Sequence, residues 1–119
     1  MDSNCTVYRT MDFIGKRWTL LILLELHKGV DETRRFSELR RKLPDITPKM
    51  LSERLREMEA EGFIRHTVDD TEMPVKSMYS LSESGHELVQ IISAIKAWSL
   101  KYKIHNELCA GLNCKECTL

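Results

Sequence analysis

Four cysteines are the residues of this sequence with the most distinctive chemistry. Three of them close the chain in CAGLNCKECTL, a C-x4-C-x2-C spacing formed by Cys109, Cys114 and Cys117, and Cys5 lies near the other end. The thiolate is the form of cysteine that exchanges disulfides and binds metals, and Lys115 beside the last pair favours it. The same spacing occurs in plant-type ferredoxins, where a distant fourth cysteine completes the ligand set.

These cysteines are compatible with three roles. In the first, they are redox-active thiols. In the second, they bind an iron–sulfur cluster or Zn²⁺, with Cys5 as the fourth ligand, within one subunit or across two. In the third, they form an inert, reduced tail. An enzyme is not expected, since no nucleophile–base pair, phosphate loop or carboxylate pair stands out. No shared ligand spacing joins the histidines His27, His66, His86 and His105. We expect core positions for the aromatic residues Phe13, Trp18, Trp98 and Tyr102, with the lining of a small-molecule pocket between the central and dimer helices as the alternative.

Length and composition predict one globular domain over residues 1–119, with 42% hydrophobic and 30% charged residues. The longest apolar run, residues 20–24, is far shorter than the roughly 20 residues that cross a bilayer. The N-terminal MDSNCTVYR lacks the order of a secretion signal, so we expect a cytoplasmic protein without membrane contact.

The formal net charge of zero conceals two blocks of opposite sign. Residues 34–56 carry eight basic and three acidic residues, a net charge of +5, whereas residues 57–72 carry one basic and six acidic residues, a net charge of −5. Such segregation is typical of a protein that presents one face to a polyanion.

Apolar spacing and capping residues predict mainly helical structure. Residues 5–14 form a short amphipathic helix, and residues 16–28 form a central helix that is apolar around most of its circumference. Residues 83–108 form a long helix of about 26 residues, about 39 Å at 1.5 Å per residue. That length exceeds what a small core covers, so we expect dimerisation through the N- and C-terminal helices of residues 1–28 and 83–108, followed by the cysteine-rich tail of residues 109–119.

Residues 34–82 between these helices predict a helix-turn-helix and a wing. The stretch RRFSELRRKL is a short helix capped by Ser37, and LPDIT is a turn. A second helix begins with Thr47 as N-cap and Pro48 as first residue. Its apolar stripe is narrow, which leaves the basic and polar side chains on the outer face free for the major groove of DNA. Two strands around a turn at residues 69–75 then predict a β-hairpin wing, whose acidic DDTE weakens any phosphate contact by Lys76.

The candidate DNA-binding residues come from both helices and the wing. Lys49 and Ser52 are the best candidates for base contacts, since the first turn of a recognition helix enters the groove most deeply. Arg54 and Arg56 are candidates for phosphate contacts, with an ion pair from Arg56 to a glutamate of its own helix as the alternative. The full set comprises Arg34, Arg35, Ser37, Arg40, Thr47, Pro48, Lys49, Met50, Ser52, Glu53, Arg54, Arg56 and Lys76, and solvation of the first helix is the alternative role for Arg40, Arg41 and Lys42.

Three stretches of the chain resemble the HxlR-type transcriptional regulators, winged-helix dimers related to the multiple-antibiotic-resistance regulators. They are CTVYRTMDFIGKRWTLLILLELHKG, RRFSELRRKLPDITPKMLSERLREMEAEGFI and EMPVKSMYSLSESG, and the resemblance covers residues 5 to about 100. Thr6 stands where the family usually has proline, and the wing is more acidic. The resemblance implies a homodimeric DNA-binding regulator that often responds to electrophiles, oxidants or small toxic compounds.

The sequence therefore predicts a winged helix-turn-helix protein, mainly α with a small β-hairpin wing. Its expected function is sequence-specific regulation of transcription at a palindromic operator, controlled by the redox, electrophile or metal state of the cysteines. The alternative is a winged-helix protein-interaction or iron–sulfur electron-carrying module that does not bind specific DNA.

Overall fold

A computed structural model describes residues 2–71 and 73–117, so Met1, Thr118, Leu119 and Glu72 of the acidic wing sequence lie outside the described residues. The elements, in chain order, are α1 (Thr6–Ile14), α2 (Arg17–Lys28), a 3₁₀ turn (Val30–Glu32), β1 (Thr33–Arg35), α3 (Phe36–Lys42), α4 (Pro48–Ala60), β2 (Ile64–Asp69), β3 (Lys76–Leu81), α5 (Glu83–Tyr102), α6 (Glu107–Ala110) and a second 3₁₀ turn (Cys114–Glu116).

Helix α2 supplies the centre of the hydrophobic core. Ile22, Leu23 and Leu26 are completely buried, as the apolar run of the sequence predicted, but Leu21 is exposed. The other buried apolar residues come from α3, the turn after it, α4, the sheet and α5, and they are Leu39, Ile46, Leu51, Leu55, Met58, Ile64, Tyr79, Leu81 and Val89. Burial of these side chains holds the helix-turn-helix and the hairpin against α2.

A three-stranded antiparallel sheet has the order β1-β3-β2. The hairpin of β2 and β3 pairs Ile64 with Leu81 at its base, as the wing prediction requires. The sequence analysis missed β1, which pairs Arg34 with Tyr79 and attaches the segment after α2 to the wing. Three residues are too few for a recognisable strand pattern, so only pairing with β3 defines this strand.

Two glycines allow α4, the sheet and α5 to meet closely. Gly62 ends α4 with a φ of +81°, a conformation that L-residues with a side chain rarely adopt. Gly85 is buried, and a Cβ atom there would lie 2.1 Å from the backbone oxygen of Phe63. The first turn of α5 therefore packs directly on the backbone that leads into β2.

Two helix boundaries differ from the sequence predictions. Ser37 does not cap α3, because the N-cap is Arg35 and the Glu38 carboxylate accepts a hydrogen bond from the Arg35 backbone N–H at 3.3 Å. Helix α5 has 20 residues rather than 26, since its C-cap is Lys103, and the short helix α6 follows separately. The 20 residues span about 30 Å at 1.5 Å per residue.

Helices α1 and α5 carry an exposed apolar surface. The predicted core positions of Phe13, Trp98 and Tyr102 are wrong in the single chain, where Trp98 and Tyr102 are 54% and 62% exposed. Trp18 does pack against the core. We define the α1/α5 surface as the exposed apolar residues Val7, Tyr8, Met11, Phe13, Ile91, Ile95, Trp98 and Tyr102. Among the described residues, no helix is both long and apolar enough to span a membrane.

Candidate nucleic-acid interface

Helix α4 is fixed in orientation by its cap and its buried stripe. The Thr47 side chain accepts a hydrogen bond from the Met50 backbone N–H at 3.1 Å, and Pro48 occupies the first helical position. Leu51, Leu55 and Met58 are buried, which confirms the predicted i, i+4, i+7 stripe. With one face of α4 held in the core, the opposite face is directed outward.

The outward face of α4 consists of polar and charged side chains. Thr47 and Pro48 are exposed at its start, and Lys49, Ser52, Glu53 and Arg56 are exposed along it, while Met50 is half-buried. Among the described residues, Arg56 forms no ion pair with a glutamate of its own helix, which was the alternative role predicted for it. Lys49 and Arg56 therefore present their charges to solvent.

Arg54 points in a different direction from Arg56. Its guanidinium Nη1 donates to the Glu57 carboxylate at 3.1 Å, and its side chain is mostly buried. The same carboxylate accepts a hydrogen bond from Lys16 Nζ at 2.9 Å, which links α4 to the segment between α1 and α2. This bond from Lys16 lowers the pKa of Glu57 despite the opposing effect of desolvation, and the Arg54 charge adds to the lowering. Arg54 therefore supports α4 through Glu57, and a phosphate contact by this residue stays a prediction.

Arg34 also has intramolecular partners. Its Nε donates to the backbone oxygen of Glu25 at 3.0 Å, and Nη1 donates to the Glu38 carboxylate at 3.4 Å. The side chain is largely buried between α2 and α3. These contacts connect β1 to both helices, so Arg34 supports the fold, and a DNA contact by this residue stays a prediction.

A groove separates α4 from the wing, and we call it the wing groove. It has a volume of about 560 Å³, and four of the predicted DNA-binding residues line it: Arg35, Ser37, Ser52 and Lys76. Arg35 is brought there by β1, which pairs it with Met78. The remaining basic residues of α3, Arg40, Arg41 and Lys42, are exposed on the outer surface of that helix.

Nearby cations partly neutralise the negative charge at the acidic end of the hairpin. Hydrogen bonds from the side chain and the backbone N–H of Thr71 lower the pKa of Asp69, and the charges of Lys76 and Arg35 lower it further. Asp69 and Lys76 are directly opposite in the β2–β3 ladder. Asp69 therefore lies beside Lys76 at the mouth of the wing groove.

The cysteines lie in three separate segments, and all four are partly buried. Cys5 precedes α1, Cys109 is in α6, Cys114 begins the second 3₁₀ turn, and Cys117 follows that turn. No disulfide joins them within the described part of the chain. Within residues 2–71 and 73–117 of one chain, no three of these cysteines lie close enough together to bind one metal ion in this conformation.

The cysteine-rich tail is attached to the body of the protein by two lysines. Lys96 of α5 donates to the backbone oxygen of Leu112 at 2.7 Å. Lys115 donates to the backbone oxygens of His27 and Gly29, the latter at 2.9 Å, at the C-terminal end of α2. A cation at a helix C-terminus is electrostatically favourable, so the tail is docked and not loose.

Sequence reasoning missed a second cluster at the same end of α2. His27, Glu32 and His86 bring one nitrogen or oxygen atom each to within 4.8 Å of one another. The sequence shows no ligand motif, because His86 lies 54 residues from Glu32. Only the packing of α5 beside α2 brings the histidines together.

A family model described as HxlR-like helix-turn-helix matches residues 13–107. The chain belongs to this family. The HxlR-family relative YtcD, a helix-turn-helix transcriptional regulator of Bacillus subtilis (strain 168), is 40% identical over 99 residues, covering 83% of this chain and 75% of YtcD. This protein is accordingly a transcriptional regulator of the helix-turn-helix type with a winged-helix fold. Its relatives are named as transcriptional regulators.

Solved structures of a transcriptional regulator and of a redox regulator resemble this HxlR-family protein along most of their length. The reduced form of the transcriptional regulator YodB from B. subtilis has a TM-score of 0.73 at 33% identity, covering 87% of this chain and 98% of that one. The oxidised form of the redox regulator HypR has a TM-score of 0.72 at 36% identity, covering 84% and 99%. A redox response is thus represented among proteins of this fold and level of identity.

Proposed function

We propose that this protein binds a palindromic DNA operator as a homodimer, with α4 in the major groove, and that oxidation of its cysteines changes its operator affinity. The observation that carries the proposal is the outward face of α4. Lys49, Ser52 and Arg56 are exposed there, while the buried stripe holds the helix in place. A rigidly supported helix with cationic and hydrogen-bonding side chains facing outward has the form of a major-groove reader.

Base and phosphate contacts divide along α4. Lys49 and Ser52 lie in its first turns and reach base edges, with Thr47, Pro48 and Met50 forming the leading end and Glu53 beside them. Arg56 lies further along and contacts phosphate. The wing groove, lined by Arg35 and Lys76, takes the adjoining sugar–phosphate backbone. Arg40 adds longer-range attraction from the exposed surface of α3.

A second copy of the chain covers the α1/α5 surface. Met11 and Phe13 on α1 and Ile95 and Trp98 on α5 are exposed large apolar side chains on the two terminal helices. Monomers rarely leave a large contiguous apolar surface in contact with water. A two-fold dimer through these helices also presents two copies of α4 to half-sites about one DNA turn apart.

The cysteines supply the regulatory input. Two thiols lose two protons and two electrons to an oxidant and form one disulfide bond, either within the chain or between subunits. Cys5 precedes α1, and the tail that carries Cys109 and Cys114 is docked on α2 and α5. A new covalent bond at either place changes the relation between the terminal helices and thus between two recognition helices. The redox regulator HypR and the transcriptional regulator YodB, whose structures include a reduced and a diamide-treated form, share the fold and support this assignment.

Binding to the DNA upstream of the protein's own gene tests the proposal. We expect reduced protein to bind one palindromic duplex more tightly than random DNA, with affinity that falls steeply as salt rises. Lys49→Ala should remove most of the sequence preference, while Lys103→Ala, an exposed cation outside the helix-turn-helix, should leave it unchanged. Diamide treatment should alter the affinity of the wild type, and it should have no effect on a variant with serine at all four cysteines.

A second candidate function is a winged-helix module that binds another protein. Exposed Asp70 and the neighbouring Asp69 favour it, because a phosphate backbone repels carboxylates near the wing. Equal affinity for the upstream palindrome and for random duplex, in both reduced and oxidised protein, would favour this module over the regulator.

A further inference from the structure

A compact three-residue cluster lies outside the proposed DNA-binding face. The imidazole Nδ1 of His27, on the last turn of α2, is 2.7 Å from Oε2 of Glu32. Nδ1 of His86, on the first turn of α5, is 2.9 Å from the same oxygen and 3.0 Å from Oε1. Glu32 is in the 3₁₀ turn that links α2 to β1, so three elements meet at one carboxylate.

The backbone around Glu32 adopts a conformation that residues with a side chain rarely take. Asp31 and Glu32 both have a φ of 54°, in the left-handed region that normally favours glycine. Two successive non-glycine residues in this region direct the Glu32 carboxylate between the two imidazoles. Burial alone would raise the pKa of Glu32, but hydrogen bonds from His27 and His86 lower it overall.

We propose that His27, Glu32 and His86 form a binding site for a divalent first-row transition-metal ion, with Zn²⁺ as the representative ion. Two imidazole nitrogens and one carboxylate oxygen are a donor set that suits Zn²⁺ and its neighbours, in contrast to the all-oxygen sets of Mg²⁺ and Ca²⁺. Tetrahedral ligands about 2.0–2.1 Å from Zn²⁺ are about 3.3 Å apart. The two nitrogen–oxygen pairs, at 2.7 and 2.9 Å, need to separate by only about half an ångström to admit the ion in place of the bridging protons, and all three donor atoms already lie within 4.8 Å of one another.

The site leaves one coordination position for solvent. His86 has a side-chain exposure of 49%, whereas His27 and Glu32 are more enclosed, at 19% and 27%. Three protein ligands leave the fourth position of a tetrahedral ion open to water, in contrast to the four protein ligands of a structural zinc site. The ion therefore enters and leaves from the His86 side.

Metal binding at this site affects the DNA-binding face, a consequence that rests on the proposed function. Glu32 directly precedes β1, which ends at Arg35 in the wing groove. His86 is at the start of α5, the helix that carries Trp98 and the rest of the α1/α5 surface. A metal bond that joins Glu32 and His86 fixes the start of β1 relative to the dimerisation helix, and so biases the spacing of the two operator-binding helices.

Zn²⁺ binding is measured without DNA, so failure of the DNA proposal and failure of the metal proposal remain distinguishable. Reduced protein, free of added metal, competes with a chromophoric chelator for Zn²⁺. Loss of one ligand should weaken binding by at least about 100-fold in His86→Gln and in Glu32→Gln, since even outer-shell changes cost about 10–100-fold. His105→Gln is the matched control, because His105 is an exposed histidine beside Glu107 and outside the cluster.

The cysteines are a competing set of ligands, and Co²⁺ identifies which set binds. Cobalt held by imidazole and carboxylate lacks the intense near-ultraviolet thiolate band that a cysteine site shows. We expect one equivalent bound without that band, and its loss in His86→Gln. In wild-type protein, the imidazole resonances of His27 and His86 should shift in NMR spectra on addition of one equivalent of Zn²⁺, a readout that needs no variant.

Wild-type Zn²⁺ affinity in both His86→Gln and Glu32→Gln would overturn the proposal. Binding that shows only thiolate-bound cobalt, with unshifted resonances for His27 and His86, would overturn it as well. A loss of affinity in His105→Gln equal to that in His86→Gln would show nonspecific histidine binding, which is a third contrary result.

Discussion

Arg54 and Arg56 are two residues apart on α4, yet the structure assigns them opposite roles. Arg56 is exposed and outside the ion pairs of the described residues, whereas Arg54 is mostly buried and paired with Glu57. Arg56→Gln and Arg54→Gln each remove one positive charge while keeping a long polar side chain. The two substitutions are therefore a matched pair that separates phosphate contact from support of the helix.

The expected magnitude follows from one contact per subunit. Each phosphate contact contributes about −0.9 to the slope of log affinity against log salt for B-form DNA. A homodimer contributes two copies of Arg56, so Arg56→Gln should make this slope shallower by about 1.8. Arg54→Gln should leave the slope nearly unchanged and should instead lower the free energy of unfolding by about 1–3 kcal/mol, because it disrupts a largely buried charged hydrogen bond.

Fluorescence anisotropy with a labelled operator, at salt concentrations between about 50 and 200 mM, measures the slope, and urea denaturation measures the stability. A slope change in Arg54→Gln equal to that in Arg56→Gln would refute the division of roles. So would an unchanged slope in Arg56→Gln, since it would show that this exposed arginine does not meet DNA phosphate.

Three further predictions concern the fold and the dimer. Gly85→Ala should lower the free energy of unfolding by about 1–3 kcal/mol in urea denaturation, because the new methyl group meets the Phe63 backbone oxygen; unchanged stability would contradict the close approach. The lowered pKa of Glu57 means that its ion pair with Lys16 stabilises the protein above the unfolded pKa and is lost as pH falls through the folded pKa. Since Glu57 is 44% exposed, Lys16→Met should lower the free energy of unfolding by less than about 1 kcal/mol at pH 7 and should leave it unchanged near pH 2, measured by urea denaturation at both pH values. An equal loss of stability at both pH values would contradict this prediction. Trp98→Asp should shift the protein to monomer in analytical ultracentrifugation and weaken operator binding at least tenfold, and a stable dimer would exclude the α1/α5 surface as the interface.

Local signals in the sequence determined most of the helix-turn-helix. Thr47 and Pro48 predict the start of α4, and Leu51, Leu55 and Met58 predict its buried face, because capping and helical periodicity act over three to seven residues. The β2–β3 hairpin was predictable for the same reason. Errors arose where two local signals compete, as at α3, where Ser37 was expected to be the cap that Arg35 provides.

Tertiary structure alone decided which charged residues are available. Arg34 and Arg54 look like DNA-binding residues in a basic block, but Glu25, Glu38 and Glu57 bind them once the helices pack. The break after α5, which shortened the predicted helix by six residues, likewise lacks a proline or glycine signal.

The His27–Glu32–His86 cluster is the clearest case of a feature beyond the reach of the sequence. Its members lie on α2, a 3₁₀ turn and α5, and no motif relates residues that are 54 positions apart. Sequence determined the elements, since hydrogen bonds and side-chain periodicity within an element are local. Which faces and side chains meet depends on how the core packs those elements together, and that is a property of the whole fold.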